Sequence, residues 1–273
     1  MRARRHIGVL IRHDLRFTLS SARGLLFLVF FALIWGWVLW KLAGGFAEKL
    51  GTPEAGLALS YFFDSSIAKL FQDRPATLAA YFVIAATLTP LFGMLAACDQ
   101  TASDLGTRHI RFLIPRVGRA EIFVARLVSA TMLITLAQLL GGIAATIIAV
   151  KVHGGADVST GAIIGYGARV TGLLIVYSLP IVAMMSLVSA GMGSIGLALL
   201  VGLGGYALIG VALGLMPLEG KVATVVSFLV PSGLKPYMLQ SEIGPALGAC
   251  AGALGYVALY SYLGWVVFSR RDT

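Results

Sequence analysis

Apolar residues do not alternate with polar ones along most of this chain; they run unbroken. Stretches free of Asp, Glu, Lys and Arg cover residues 24–40, 75–98, 127–150, 170–218 and 243–269. A helix that is apolar all round sits in lipid or a deep core, and a bilayer span takes about 20 such residues. The first run has 17 residues, at the short limit, and Lys41 extends it by carrying its ammonium to the interface. The 49 residues of 170–218 are enough for two spans. Their turn falls at Ser189-Ala190-Gly191-Met192-Gly193-Ser194, where small flexible residues break the run. The pattern predicts an all-α membrane protein with six transmembrane helices, at 24–42, 78–98, 127–150, 170–189, 195–216 and 246–268, in a single transmembrane domain over 1–273. Trp35, Trp37 and Trp40 suit an interfacial aromatic belt. Residues 222–234 are only 13 long and are interrupted by Pro231-Ser232-Gly233. They are too short to cross, and 218–244 reads as an external re-entrant segment before the last span.

The first 22 residues have a different period. Ile7, Leu10, Ile11, Leu15 and Leu19 recur near helical spacing, with Arg5, Arg12, Arg16 and Arg23 on another face. This predicts an amphipathic interfacial helix over 1–22, lying on the membrane surface. No A-x-A site follows the first apolar run, so that run reads as a span and not as a cleaved signal.

Composition agrees with the pattern. The chain is 58% hydrophobic and 12% charged, with a mean hydropathy of +0.90, whereas a soluble domain is about a quarter charged. The net charge of +9 suggests nucleic acid in a soluble protein. Here it follows from the collection of basic residues on the cytoplasmic side of membranes, and no nucleic-acid partner is expected. With the N-terminus inside, the inner segments carry 13 Lys and Arg against 5 acids, and the outer segments 8 against 7. Both termini are therefore expected in the cytoplasm of a multi-pass protein of the inner membrane. The loop near Gly191 carries no charge and does not contribute to this assignment.

Little in the chain resembles a catalytic or metal site. Cys98 and Cys250 are far apart, and His6, His13, His109 and His153 are scattered, so no metal-ligand spacing and no catalytic set is expected. Gly191-Met192-Gly193-Ser194-Ile195-Gly196 matches G-x-G-x-x-G but lies between two apolar spans, not after a strand, so the dinucleotide reading fails its context. Gly244, Gly248 and Gly252, and Gly210 with Gly214, recur every four residues. Such stripes allow close helix approach, either within one subunit or between two. The span interiors lack charged residues, which ion-coupled carriers and proton pumps normally need. Gln138, Thr131, Thr135, Tyr177 and Ser178 are their most polar groups. They are candidates to line a substrate path (Gln138, Tyr177 and Ser178 above all) or to make interhelical hydrogen bonds.

The loop at 99–126 is the most polar part of the chain, and Arg108, Arg111, Arg116 and Arg119 are too many for a simple turn. Asp104-Leu105-Gly106-Thr107, followed by Pro115, Arg119 and Arg126, resembles the acidic-x-Gly-Thr … Pro … Arg … Lys/Arg signature of ABC-type exporter permeases of type 2. The match in residues is confined to 104–126, while the layout is similar over nearly the whole chain. The family usually has Glu where Asp104 stands, and residues 44–74 are longer than in minimal members. The resemblance implies that 99–126 is a cytoplasmic coupling loop. Asp104, Gly106, Thr107, Arg108, Arg111, Pro115 and Arg119 would then form the interface to a separate ATP-binding subunit. It also implies a second copy of the chain or a related permease as partner. The chain has no G-x-x-x-x-G-K-[ST], so ATP and Mg would belong to the partner subunit. Two alternatives stay open: a lipid-modifying membrane enzyme using the Arg-rich inner face, with Asp99 and Asp104 as a thin acid pair, and a membrane assembly or scaffold protein.

Overall fold

A computed structural model describes residues 2–50, 52, 70–71, 74–106, 112, 114, 117–154, 158–215, 230–240 and 242–271. Those residues are helical, with no strand among them. In chain order the helices are α1 (Arg2–Ser20), α2 (Ala22–Ala43), α3 (Phe46–Leu50), α4 (Ala76–Ala97), α5 (Ala102–Gly106), α6 (Arg119–His153), α7 (Thr160–Gly191) and α8 (Ile195–Leu215). A 3-10 turn at Pro231–Leu234 then leads into α9 (Lys235–Leu239) and α10 (Ile243–Arg270). Five of them, α2, α4, α6, α7 and α10, are long and apolar enough to cross a membrane. This is the architecture of a multi-pass helical membrane protein.

Local chemistry sets several boundaries. Ser21 is extended, and its hydroxyl accepts from the Gly24 amide at 3.1 Å, which ends α1 and caps α2. Ser159 caps α7 in the same way through Ala162. Lys41, in the last turn of α2, lies 5.0 Å from the Trp40 ring centroid, which covers its stem as the charge reaches outward. α6 extends well beyond the uncharged run 127–150: its first two turns carry Arg119, Glu121 and Arg126. Charge limits what lipid can cover, not how far a helix can run.

α7 is the axis of the bundle and packs against α10, α6 and α4. α4 is the most enclosed span, and α2 and α10 show most of their surface outward. Aromatic packing docks α2 on α4: the Phe31 and Phe92 rings meet edge to face at 4.9 Å, and Trp35 lies 5.2 Å from Tyr81. Trp35 is therefore a core residue and not part of an interfacial belt, whereas Trp37 and Trp40 are exposed.

α6 and α7 approach through two reciprocal notches. A Cβ on Gly142 would fall inside the side chain of Thr171, and one on Gly167 inside that of Thr146. Each threonine is fixed by bonding back to its own helix, Thr146 to the Gly142 carbonyl at 2.7 Å and Thr171 to the Gly167 carbonyl at 2.8 Å. Small-residue contacts of this kind let backbones pack closely where lipid supplies no hydrophobic drive.

The connections divide the bundle into two ends. Arg119, at the start of α6, reaches the carbonyls at the end of α10, and Arg271 reaches the end of α7. α1 packs along the first part of α6. This terminal end therefore gathers α1, residues 98–106, the start of α6, the 191–194 turn and the close of α10. At the opposite, distal end, Thr77 bonds His153 at 2.9 Å, and Arg169 donates to the carbonyls of Gln240 and Glu242.

Candidate functional site

The densest polar structure lies at the terminal end. Arg126 projects from α6 between two carboxylates. Nη1 donates to Asp14 Oδ1 at 2.8 Å, and Nη2 donates to Asp104 Oδ2 at 2.7 Å. Asp14 and Asp104 are 4% and 8% exposed, so both pairs sit largely out of water, where one guanidinium fork can hold two acids. Burial raises the Asp14 carboxyl above its ordinary value, and the Arg126 and His13 charges oppose that rise. His13 lies 3.8 Å from the same carboxylate but is itself exposed.

Neighbouring contacts carry this node to every other element at that end. Gly106 closes α5 against the carbonyl of Gly193, and a Cβ there would strike that backbone oxygen. Thr101 and Ser189 share a hydrogen bond at 3.1 Å, and Gln100 donates to the Val182 carbonyl at 3.3 Å. Arg119 Nη1 donates to the carbonyls of Ser269 at 2.7 Å and Arg271 at 3.0 Å, which caps the C-terminus of α10. Arg271 in turn donates to the Gly191 carbonyl. Beneath these bonds a small second core of Ile122, Phe123, Ala190 and Phe268 is covered by Leu10, Leu105, Ile114 and Val117 among others. The arrangement fixes the 98–106 segment to α6, α7 and the 191–194 turn.

Of the interface residues expected from sequence, Asp104, Gly106 and Arg119 are brought together here. Thr107, Arg108, Arg111 and Pro115 lie outside the described residues. Arg119 is engaged within the chain by α10. The candidate path residues are enclosed by the chain's own helices. Gln138 is 3% exposed and donates to Thr89 at 2.9 Å. The Tyr177 hydroxyl lies 3.4 Å from that of Tyr206, and Ser178 bonds back to the Ile175 carbonyl at 2.7 Å. Most of the 44–74 segment, and residues 218–229 and 241 of the expected re-entrant segment 218–244, are also outside the described residues. What is described of the latter is the 3-10 turn, α9 and the start of α10. Among the described residues no group of three His, Cys, Asp or Glu side chains could hold a metal ion.

Sequence reasoning overlooked Asp14. It is the lone acid between Met1 and Arg23, and it falls on the apolar stripe with Ile7, Leu10 and Ile11. A single acid on a buried helical face signals an internal cation, but its position does not say which one.

The Gln138–Thr89 contact gives an asymmetric expectation. Thr89 also bonds back to the Ala85 carbonyl at 2.7 Å, so Gln138→Leu leaves no stranded group and costs under about 1 kcal/mol. Thr89→Val leaves the Gln138 amide buried without its acceptor and costs about 1–3 kcal/mol. Thermal unfolding of the two variants in detergent measures the difference; equal costs would mean that the bond is not made.

A family model described as "Protein of unknown function (DUF2705)" matches residues 54–273. No curated protein matches the chain.

Proposed function

We propose that this chain, which belongs to the DUF2705 family, is the membrane-spanning subunit of an ATP-driven exporter whose ATPase is a separate polypeptide. The observation that carries this reading is the clamp on residues 98–106: the segment that resembles a coupling loop is bound to helices that traverse the bundle. A partner pushing on α5 would move α6 through Arg126 and the 191–194 turn through Gly106. That is the lever a rigid-body switch between inner and outer access requires. ATP and Mg act in the partner, and closure of two partner ATPases supplies the force.

Six spans are supported by parity. The chain stands at the terminal end at Ile195 and at the distal end by Glu242, which favours a crossing by α8 between them. α8, with 21 residues, is about 31 Å long and matches a bilayer core of about 30 Å. Re-entry of 218–244 is supported by its described residues 230–240, which pack against α10, with Leu234 reaching Gly252, nine positions into that helix. Arg12 and Arg16 on α1, Arg119 and Arg126 on α6, and Arg270 and Arg271 at the close of α10 lie toward the terminal end, which supports cytoplasmic termini in the inner membrane. Pairing of two copies is supported by Gly244 and Gly248 on α10, where an added Cβ would meet nothing in the chain. The lipid-modifying alternative is weakened because Asp104, half of its acid pair, is committed to Arg126.

Affinity purification from native membranes is expected to recover a P-loop ATPase with the intact chain and to lose it when residues 104–119 are scrambled. An ATPase still bound after scrambling would remove the docking site, and recovery of no ATPase at all would remove the exporter reading.

A further inference from the structure

The distal end holds a second polar cluster, in which two buried groups make no hydrogen bond. Arg74 precedes α4, and its guanidinium lies 4.9 Å from the Tyr166 ring centroid. The Arg74 Nε and the Tyr166 hydroxyl are both buried without a hydrogen-bond partner, and Tyr166 is 8% exposed. Arg169 lies one turn along α7 from Tyr166, on the same face. Its own fork is held by the carbonyls of Gln240 and Glu242. Buried donors without acceptors are rare, and each calls for a missing acceptor. Here the two orphan groups are an N–H of a cation and a hydroxyl, with a second cation beside them. That set is complementary to an oxyanion, and a guanidinium fork fits the oxygens of phosphate.

Depth narrows the class. α7 has 32 residues and is about 48 Å long, so when centred it overhangs a core of about 30 Å by about 9 Å at each end. Tyr166 lies about 9 Å from the start of α7. The cluster therefore stands at the boundary between hydrocarbon and headgroups.

We propose that Arg74, Tyr166 and Arg169 form a binding site for a phosphate group at the distal headgroup level, supplied by an anionic phospholipid or by free phosphate. The site rests on the membrane-spanning fold and not on the exporter reading. Its test needs no ATPase, so either proposal can fail without the other.

The full chain would be released from micelles containing phosphatidylcholine, with or without phosphatidylglycerol, and retained lipid read by native mass spectrometry. One phosphatidylglycerol is expected to stay bound to the wild type. Arg74→Gln is expected to weaken its retention on the order of tenfold, the scale for loss of one charge-assisted hydrogen bond. Tyr166→Phe keeps the ring under the guanidinium and removes only the orphan hydroxyl. It is expected to weaken retention by a smaller factor without lowering thermal stability, which separates a ligand role from a packing role. Lys41→Gln removes a distal cation outside the cluster and should change nothing. Inorganic phosphate is titrated in parallel. Phosphate binding that depends on Arg74 and Tyr166, with no phospholipid retained, would support the site and identify a soluble anion as its ligand. Binding of neither probe, or equal binding by wild type, Arg74→Gln and Tyr166→Phe, would overturn the proposal and leave a water-filled pocket.

Discussion

Arg126→Gln is expected to destabilise the protein by about 3 kcal/mol at neutral pH, and the deficit is expected to shrink on acidification. The substitution leaves Asp14 and Asp104, both nearly buried, without the cation that bridges them. Removing one partner of a buried ion pair costs about 3–5 kcal/mol. The lower end applies because the Arg126 side chain is a quarter exposed and partly screened. The pH dependence follows from Asp14. Burial already raises its carboxyl in the folded state, and Arg126 opposes the rise; without Arg126 it rises further. A carboxyl raised on folding binds more protons folded than unfolded, so stability falls as pH climbs from the ordinary carboxylate range through the folded value. Run in reverse, lowering the pH protonates Asp14 and removes the uncompensated buried charge. Thermal unfolding in detergent between about pH 7 and about pH 5 measures this. Arg126→Gln with Asp14→Asn should recover part of the loss at pH 7 as well. A deficit that does not change with pH and is not relieved by Asp14→Asn would show that the bridge contributes nothing.

Gly142→Leu is expected to lower stability by about 2–3 kcal/mol, the cost of overpacking a filled contact. Thr171 occupies the space that the new side chain needs. Its β-branched side chain has few rotamers on a helix, and its hydroxyl is already bonded to the Gly167 carbonyl. α6 and α7 must then separate, which also opens the mirror contact between Gly167 and Thr146. Gly142→Ala with Thr171→Ala should cost less than the sum of its two single variants, because the residues share one volume. Chemical unfolding of the three variants measures the coupling, and strict additivity would mean that the notch is not packed as described.

The helices were largely legible because a membrane span is a local pattern: an uncharged run long enough to cross. Where the reading differed, local rules could not decide. Arg126, Glu121 and Arg119 precede the uncharged run 127–150, yet α6 includes them, since Arg126 finds partners 112 and 22 residues away. Trp35 has the composition of a belt residue, but Tyr81 on α4 draws it inward. In the terminal-end node, Asp104, Gly106, Arg119 and Arg126 were recognisable as a spaced set. Their geometry was not, because each is satisfied by a group remote in sequence: Asp14, the Gly193 carbonyl, or the end of α10. The Arg74–Tyr166 stack was invisible for the same reason, as its members are 92 positions apart.

The bridge between α1 and α6 also constrains the order of assembly during synthesis. Asp14 is made long before Arg126, with 112 positions between them. At about 5–20 residues per second that interval is about 5–20 s. Until then the Asp14 carboxylate lacks the guanidinium that holds it in the folded chain. Arg119 waits longer still, since the carbonyls it caps are 150 and 152 positions downstream. The bonds from Arg119 to the end of α10 thus form only after α10 has been made. A nascent chain halted before Ser269 would lack the carbonyls that Arg119 caps, and with them the clasp between α6 and α10.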